Sequence, residues 1–298
     1  MLSVEHIQKS FGSVQALRDV SFSVDAGSVF GLLGPNGSGK TTTMRTILNI
    51  LSPDGGQVRW NGKAIDRTVR RRFGYLPEER GLYGKMAVRE QIVYFGRLHG
   101  LHEPEAAKRA DAWIERLEIG AYSLRPAAEL SKGNQQKVQI ACAALHDPEL
   151  LILDEPFSGL DPVNADILLA VLLDLKAKGT TLVLSSHQMW QLEQLCTSYC
   201  VINSGETRAS GTLAELRSAW PTRTVRVAPD SPVLRGAAEK LGATIAGSEN
   251  GDLDLNVPAT SDFAAMLRSF AAADSIVKFE VVEPSLHDIY LRAIGAAA

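Results

Sequence analysis

Residues 34 to 41 read GPNGSGKT, that is Gly34, Pro35, Asn36, Gly37, Ser38, Gly39, Lys40 and Thr41, with Thr42 following. The run fits GxxxxGK followed by Ser or Thr. It stands between a short apolar strand beginning at Val29 and a helix expected from about Lys40 to Leu51. Glycines at 34, 37 and 39 let backbone N–H groups converge on a phosphate chain, because side chains there would block the approach or forbid the dihedrals. The helix start adds partial positive charge. On this reading Lys40 reaches the β- and γ-phosphates of a nucleotide, the Thr41 hydroxyl holds Mg²⁺ and Thr42 lines the phosphates.

A phosphate loop needs an acidic partner for its metal. The apolar strand Leu150 to Leu153 ends in Asp154-Glu155, at the carboxyl edge where α/β sheets bind ligands. Asp154 is expected on the Mg²⁺ shell through water and Glu155 as general base for an attacking water. The pair points to nucleotide hydrolysis. Asn164 to Lys178 has helical periodicity, Gly179 ends it, and Thr181 to Ser185 is again a buried-type strand, which implies a parallel sheet covered by helices.

Before the loop, residues 2 to 30 read as strands broken at Gly12 and Gly27, an N-terminal β region. Between the two halves of the parallel sheet lies a helix-rich insert, Met86 to His99, Pro104 to Leu117 and a third helix opening near Ser131. After a helix Thr212 to Trp220 the pattern restarts as strand, helix, two strands about an Asn250-Gly251 turn, helix and strand, then a last helix from about Ser285. That order suggests a small ferredoxin-like sandwich. The expected domains are therefore 1–218, with a helical subdomain at about 84–145, and 222–298.

With 31 Lys+Arg against 34 Asp+Glu the net charge is −3, which argues against a nucleic-acid partner. The most apolar run, Ile167 to Leu173, is too short to span a bilayer. The opening MLSVEHIQKSFG lacks the central apolar region and cleavage site of a signal peptide, so a cytoplasmic location is expected. Three cysteines, with Cys196 and Cys200 four apart, read as free buried thiols and not as a metal site. Arg67 to Arg72 carries four arginines in six residues and reads as a solvated helix face, with anionic lipid or a membrane permease as the other options.

Leu130 to Gln136, LSKGNQQ, resembles the signature sequence of the ATP-binding cassette (ABC) family, commonly LSGGQ, and lies upstream of the acidic strand as in that family. Ser158, Gly159, Leu160 and Asp161 (SGLD) resemble its D-loop, and His187 matches its switch histidine. The resemblance implies an α/β P-loop NTPase fold: a cassette with a parallel core sheet, an N-terminal antiparallel β subdomain and a helical insert, joined to the small α+β ferredoxin-like domain. It implies two cassettes packed head to tail as a homodimer, each ATP held between the phosphate loop of one chain and Ser131, Lys132, Gly133 and Asn134 of the other. It further implies that Phe11 stacks on adenine and that His187 hydrogen-bonds the γ-phosphate.

Three positions depart from the family's pattern. Glu78 stands where most members carry a glutamine touching Mg²⁺, Lys132 stands for a glycine and Asn134 for a glutamine. Residues 75 to 88, YLPEERGLYGKMAV, and 283 to 291, EPSLHDIYL, resemble one subgroup with a short C-terminal domain that serves two-subunit exporters. That likeness implies an ATPase coupled to a separate ABC-2-type membrane permease of about six helices, with the chain held at the cytoplasmic face of the cell membrane through it. A soluble switch ATPase of translation, repair or regulation is the alternative.

Overall fold

The computed structural model describes residues 1–79, 81–186 and 189–295, and these divide into two compact units, Met1–Gly211 and Thr212–Ala298. The divide falls before the helix Leu213–Ser218, which the sequence reading assigns to the first domain. A Thr212–Glu215 capping box starts that helix, inside the second unit.

The first unit is built on one ten-stranded sheet with two characters. Leu2–Phe11 pairs antiparallel with Val14–Val24 on one side and with Gly55–Trp60 on the other. Beyond Val14–Val24 the order runs Glu206–Thr212, Ser198–Asn203, Val29–Leu33, Thr181–Ser185, Leu150–Leu153 and Phe73–Leu76. From Ser198–Asn203 to Phe73–Leu76 the neighbours are parallel. Every residue of Val29–Leu33, Leu150–Leu153 and Thr181–Ser185 is buried, as a parallel sheet covered on both faces requires. Each fully buried Leu or Ile there contributes roughly 1.5–3 kcal/mol. The sheet's carboxyl ends therefore sit on a rigid platform.

Gly55–Trp60, Lys63–Ala64, Ser198–Asn203 and Glu206–Thr212 were not expected as strands from sequence. Gly55–Trp60 begins with two glycines, and Glu206–Thr212 carries no apolar alternation, so neither shows the strand period. The helix from Lys40 ends at Ile47, short of the expected Leu51, where Asn49 turns the chain at φ 52°. The helical insert is Val88–Leu98, Glu103–Arg116 and Lys132–Ala144, close to expectation. The insert meets the core at His99 and His146, whose rings stack at 3.7 Å. Burial, and then the neighbouring His99, holds His146 down to about 3, so the pair is neutral at physiological pH. The three cysteines are free and buried.

The second unit follows the expected β-α-β-β-α-β order. Its sheet runs Thr244–Glu249, Asp252–Pro258, Thr222–Ala228 and Lys278–Val282, all antiparallel. Asn250 and Gly251 both take positive φ at the expected turn. Val225, Val227, Leu253 and Leu255 face a core shared with Leu234 and Phe270 of the helices Pro232–Lys240 and Phe263–Ala273. The opposite face carries polar pairs, Arg226 donating to both Asp254 oxygens at 2.7 and 2.9 Å and Lys278 donating to Asp252 at 3.1 Å. These pairs are half-buried and line the face away from the core.

Candidate functional site

The loop between Val29–Leu33 and Lys40–Ile47 is shaped by its glycines. A Cβ on Gly34 would stand 2.3 Å from the Ile202 carbonyl oxygen, and one on Gly39, at φ 110°, would meet Leu17 Cδ2 at 2.7 Å. Gly37, at φ 78°, has open space where a Cβ would be. Gly39 caps the helix without any side-chain hydrogen bond, so the first N–H groups stay available for an anion. Lys40, only 8% exposed, donates to the carbonyl oxygens of Gly34 at 2.8 Å and Pro35 at 3.2 Å. Ser38 Oγ is buried without a partner.

The acidic end meets this loop directly. Thr41 Oγ1 donates to Asp154 Oδ2 at 2.6 Å, and Ser185 Oγ donates to Asp154 Oδ1 at 2.7 Å. Ser185 Oγ in turn accepts the Glu155 backbone N–H at 2.9 Å. Glu155 is buried and sits at φ 51°, a left-handed conformation that costs a non-glycine residue about 1–3 kcal/mol and marks functional turns. A cavity of about 210 Å³ opens here, with Asn36, Gly37, Gly39, Lys40, Thr41 and Thr42 on one side, Glu78, Asp154 and Glu155 on the other, and Ala16 at the rim. Donors and a lysine face carboxylates across it, which is the chemistry a polyphosphate with a divalent cation requires.

The remaining expected residues are placed as follows. Phe11 ends its strand half exposed, with Lys9 Nζ 5.8 Å from its ring centre, and does not line the cavity. Ser131 caps Lys132–Ala144, its Oγ accepting the Asn134 N–H at 3.3 Å; Lys132 is exposed and Gly133 buried, where a Cβ would come within 3.2 Å of Asn164 Nδ2. None of Ser131 to Asn134 lines the cavity of its own chain. Ser158 and Gly159 are exposed, Leu160 is half buried, and Asp161 caps Pro162–Ala177 by accepting the Asn164 N–H at 2.9 Å. That hydrogen bond lowers the Asp161 carboxyl below its ordinary range. His187 lies outside the described residues.

Sequence reading missed three residues that hold the site. Ser185 grips both acidic residues, and its place was legible as the end of the neighbouring strand, where Leu153 pairs with Leu184. Gln136 Nε2 donates to the Pro156 carbonyl at 2.9 Å, tying the signature helix to the turn after Glu155. Gly205, at φ 76°, donates its N–H to Ser38 O at 3.0 Å and accepts from Arg18 N at 2.7 Å and Asp19 N at 3.1 Å. One residue thus braces both the phosphate loop and the strand beside Ala16. In Gly205→Ala the methyl would lie 2.7 Å from Ala16 O at a left-handed φ. A loss of about 1–3 kcal/mol in thermal unfolding is expected, together with a raised KM for ATP. An unchanged KM would show that the brace does not shape the loop.

Comparisons with known proteins bear on the family and the fold. The ABC transporter family model matches residues 17–158, and a model described as the C-terminal domain of DrrA1-3-like ATP-binding proteins matches 211–294. The chain is 42% identical to the ABC transporter ATP-binding protein YhaQ of Bacillus subtilis (strain 168), over 99% of each chain. It is 36% identical to the Nod factor export ATP-binding protein I of Paraburkholderia xenovorans (strain LB400), over 70% of each. A solved ATP-binding subunit of an ABC transporter superposes with a TM-score of 0.68 at 35% identity, over 73% of this chain and 92% of that one.

Proposed function

We propose how this chain works from one established premise: it belongs to the ABC transporter ATP-binding proteins. It is the ATPase subunit of such a transporter. The observation that carries the detailed reading is the chain of contacts Thr41–Asp154–Ser185–Glu155 at the mouth of the phosphate cavity.

In this reading the backbone N–H groups of residues 37 to 42 and the Lys40 ammonium bind the β- and γ-phosphates. The Thr41 hydroxyl, Asp154 and Glu78 would hold Mg²⁺, and their hydroxyl and carboxylate oxygens are the hard donors that ion selects. Mg²⁺ held there would supply charge neutralisation to the phosphates. Glu155 accepts a proton from the water that attacks the γ-phosphorus; the bond to the β–γ bridging oxygen breaks and ADP departs with phosphate. Phe11 stacks on adenine and His187 contacts the γ-phosphate.

The signature run cannot serve the ATP of its own chain if it does not line that cavity. Ser131, Lys132, Gly133 and Asn134 therefore act on a second copy's ATP, with Ser158 to Asp161 at the joint, and ATP closes a homodimer. Closure drives an integral membrane permease of the ABC-2 type, and the name of the Nod factor relative supports export as the direction. Among the described residues no helix is long and apolar enough to cross a membrane. In this reading the permease holds the chain at the cytoplasmic face.

Detergent extraction of membranes with the tagged chain tests this. A multi-span permease recovered in stoichiometric amount, together with Mg²⁺-dependent ATP hydrolysis, is the expected result. Recovery of ribosomes or DNA in its place would return the chain to the soluble switch ATPases.

A further inference from the structure

The signature helix Lys132–Ala144 changes character along its length. Ser131 and Lys132 at its start are exposed, whereas every residue from Gln136 to Ala144 is buried. Its carboxyl half is seated on the core sheet so closely that a Cβ on Gly74 would stand 2.1 Å from the Ala143 carbonyl oxygen. Its 13 residues span roughly 20 Å at the α-helical rise. One stiff rod therefore leads from the exposed signature into the core.

Two adjacent glutamines fasten the start of this rod to different elements. Gln135 Nε2 donates to the Ala127 carbonyl of the insert at 2.9 Å, and Gln136 Nε2 donates to the Pro156 carbonyl of the core at 2.9 Å. Successive side chains on a helix point about 100° apart, which lets the two neighbours reach in separate directions.

The Pro156 contact falls on the turn that carries Glu155. Ahead of Pro156, the Glu155 φ of 51° is held by Ser185 Oγ, which accepts the Glu155 N–H at 2.9 Å. Around it, Ser158 N donates to the Glu155 carbonyl at 3.1 Å and Leu160 N to the Phe157 carbonyl at 3.2 Å. The carbonyl between those two, that of Pro156, belongs to a buried residue and meets no main-chain donor among the described residues. Gln136, only 7% exposed, supplies the donor. A buried carbonyl stripped of its donor is costly, so without Gln136 the turn gains a reason to leave this conformation.

We infer that Gln136 is a positioning residue that acts on Glu155 through Pro156, and that it makes hydrolysis of a chain's own ATP depend on the grip of its signature on the second copy's ATP. This rests on the homodimer reading given above. A phosphate held at Ser131 fixes the exposed end of the rod, the rod fixes Gln136, and Gln136 fixes the turn that aims the base. Gln136 itself does not line the phosphate cavity.

The test uses full-length mixed dimers, two differently tagged chains purified together in Mg-ATP. One chain keeps Glu155 and the other carries Glu155→Gln, so that only the first chain's ATP turns over. Gln136→Met keeps the side-chain volume and removes the donor. Placed in the chain that keeps Glu155, it should lower kcat at least tenfold with KM for ATP within twofold of the unsubstituted mixed dimer. Placed in the Glu155→Gln chain, it should change neither, because that chain's base is already absent. Ser131→Ala in the chain that keeps Glu155 should also lower kcat, and together with Gln136→Met in that chain it should cost no more than Gln136→Met alone. A loss confined to the Glu155→Gln placement would make Gln136 a shaper of the signature only, an equal loss in both placements would make it a general brace, and no loss in either would leave it idle. Each of these overturns the proposal and leaves the homodimer standing. Multiplying losses for Ser131 and Gln136 would put them on separate routes and overturn the dependence between the two sites. Failure of mixed dimers to form in Mg-ATP overturns the homodimer reading and the proposal with it.

Discussion

Glu155→Gln is expected to slow ATP turnover by about 10²–10⁴-fold while leaving ATP bound. The reasoning starts from what the substitution does not disturb. The Glu155 backbone, not its side chain, donates to Ser185 Oγ at 2.9 Å, and Ser158 N donates to the Glu155 carbonyl at 3.1 Å. The unusual φ of 51° is therefore held by main-chain contacts that glutamine keeps. Asp154 retains both of its hydroxyl donors, so the metal end of the cavity is unchanged. What is lost is the carboxylate that takes a proton from the attacking water. ATP should then persist between two copies, and the variant should elute as a dimer in Mg-ATP and as a monomer in Mg-ADP. A turnover within tenfold of wild type would remove Glu155 from the role of base, and a monomer in saturating Mg-ATP would remove the trapped dimer.

Much of this site was legible because its parts obey local rules. Glycines at 34, 37 and 39 announce a backbone that side chains rarely adopt, and Asp154-Glu155 after four consecutive buried apolar residues announces a strand end. The tail was legible for a similar reason: its alternation in Thr222–Ala228 and Asp252–Pro258, with an Asn250-Gly251 turn, needs no tertiary information. What sequence did not disclose is long-range. Ser185 acts on Asp154 and Glu155, 31 and 30 positions away, and Gly205 on residues more than a hundred positions away, through hydrogen bonds that only the sheet order creates. The strand Glu206–Thr212 lies between Ser198–Asn203 and Val14–Val24, which it joins through a parallel pairing of Glu206 with Asp19, and has no apolar period to betray it. The arginine run is exposed, as its sequence suggests, while the cavity beside it is walled also by Phe95 and Leu98, from a helix distant in sequence.

Lys40→Ala should fail at the earlier step, before any chemistry. The Lys40 ammonium is buried and shared between the carbonyls of Gly34 and Pro35, so the loop is held in a closed arc by one cation. Incoming phosphate oxygens can share that cation without moving the loop. Alanine removes the charge that meets the phosphates and leaves two loop carbonyls without their donor. Hydrogen bonds to charged groups contribute about 1.5–3 kcal/mol each, so ATP affinity should drop by roughly one to two orders of magnitude and turnover should become undetectable. Titration with a fluorescent ATP analogue separates this from Glu155→Gln, which keeps affinity and loses only the proton transfer. Lys40→Arg sharpens the argument, because it preserves the charge but presents a planar fork where the loop's arc admits a single ammonium. If the arginine variant binds ATP as wild type does, the charge alone suffices. If it binds as weakly as alanine, the geometry of the glycine arc sets the requirement for lysine.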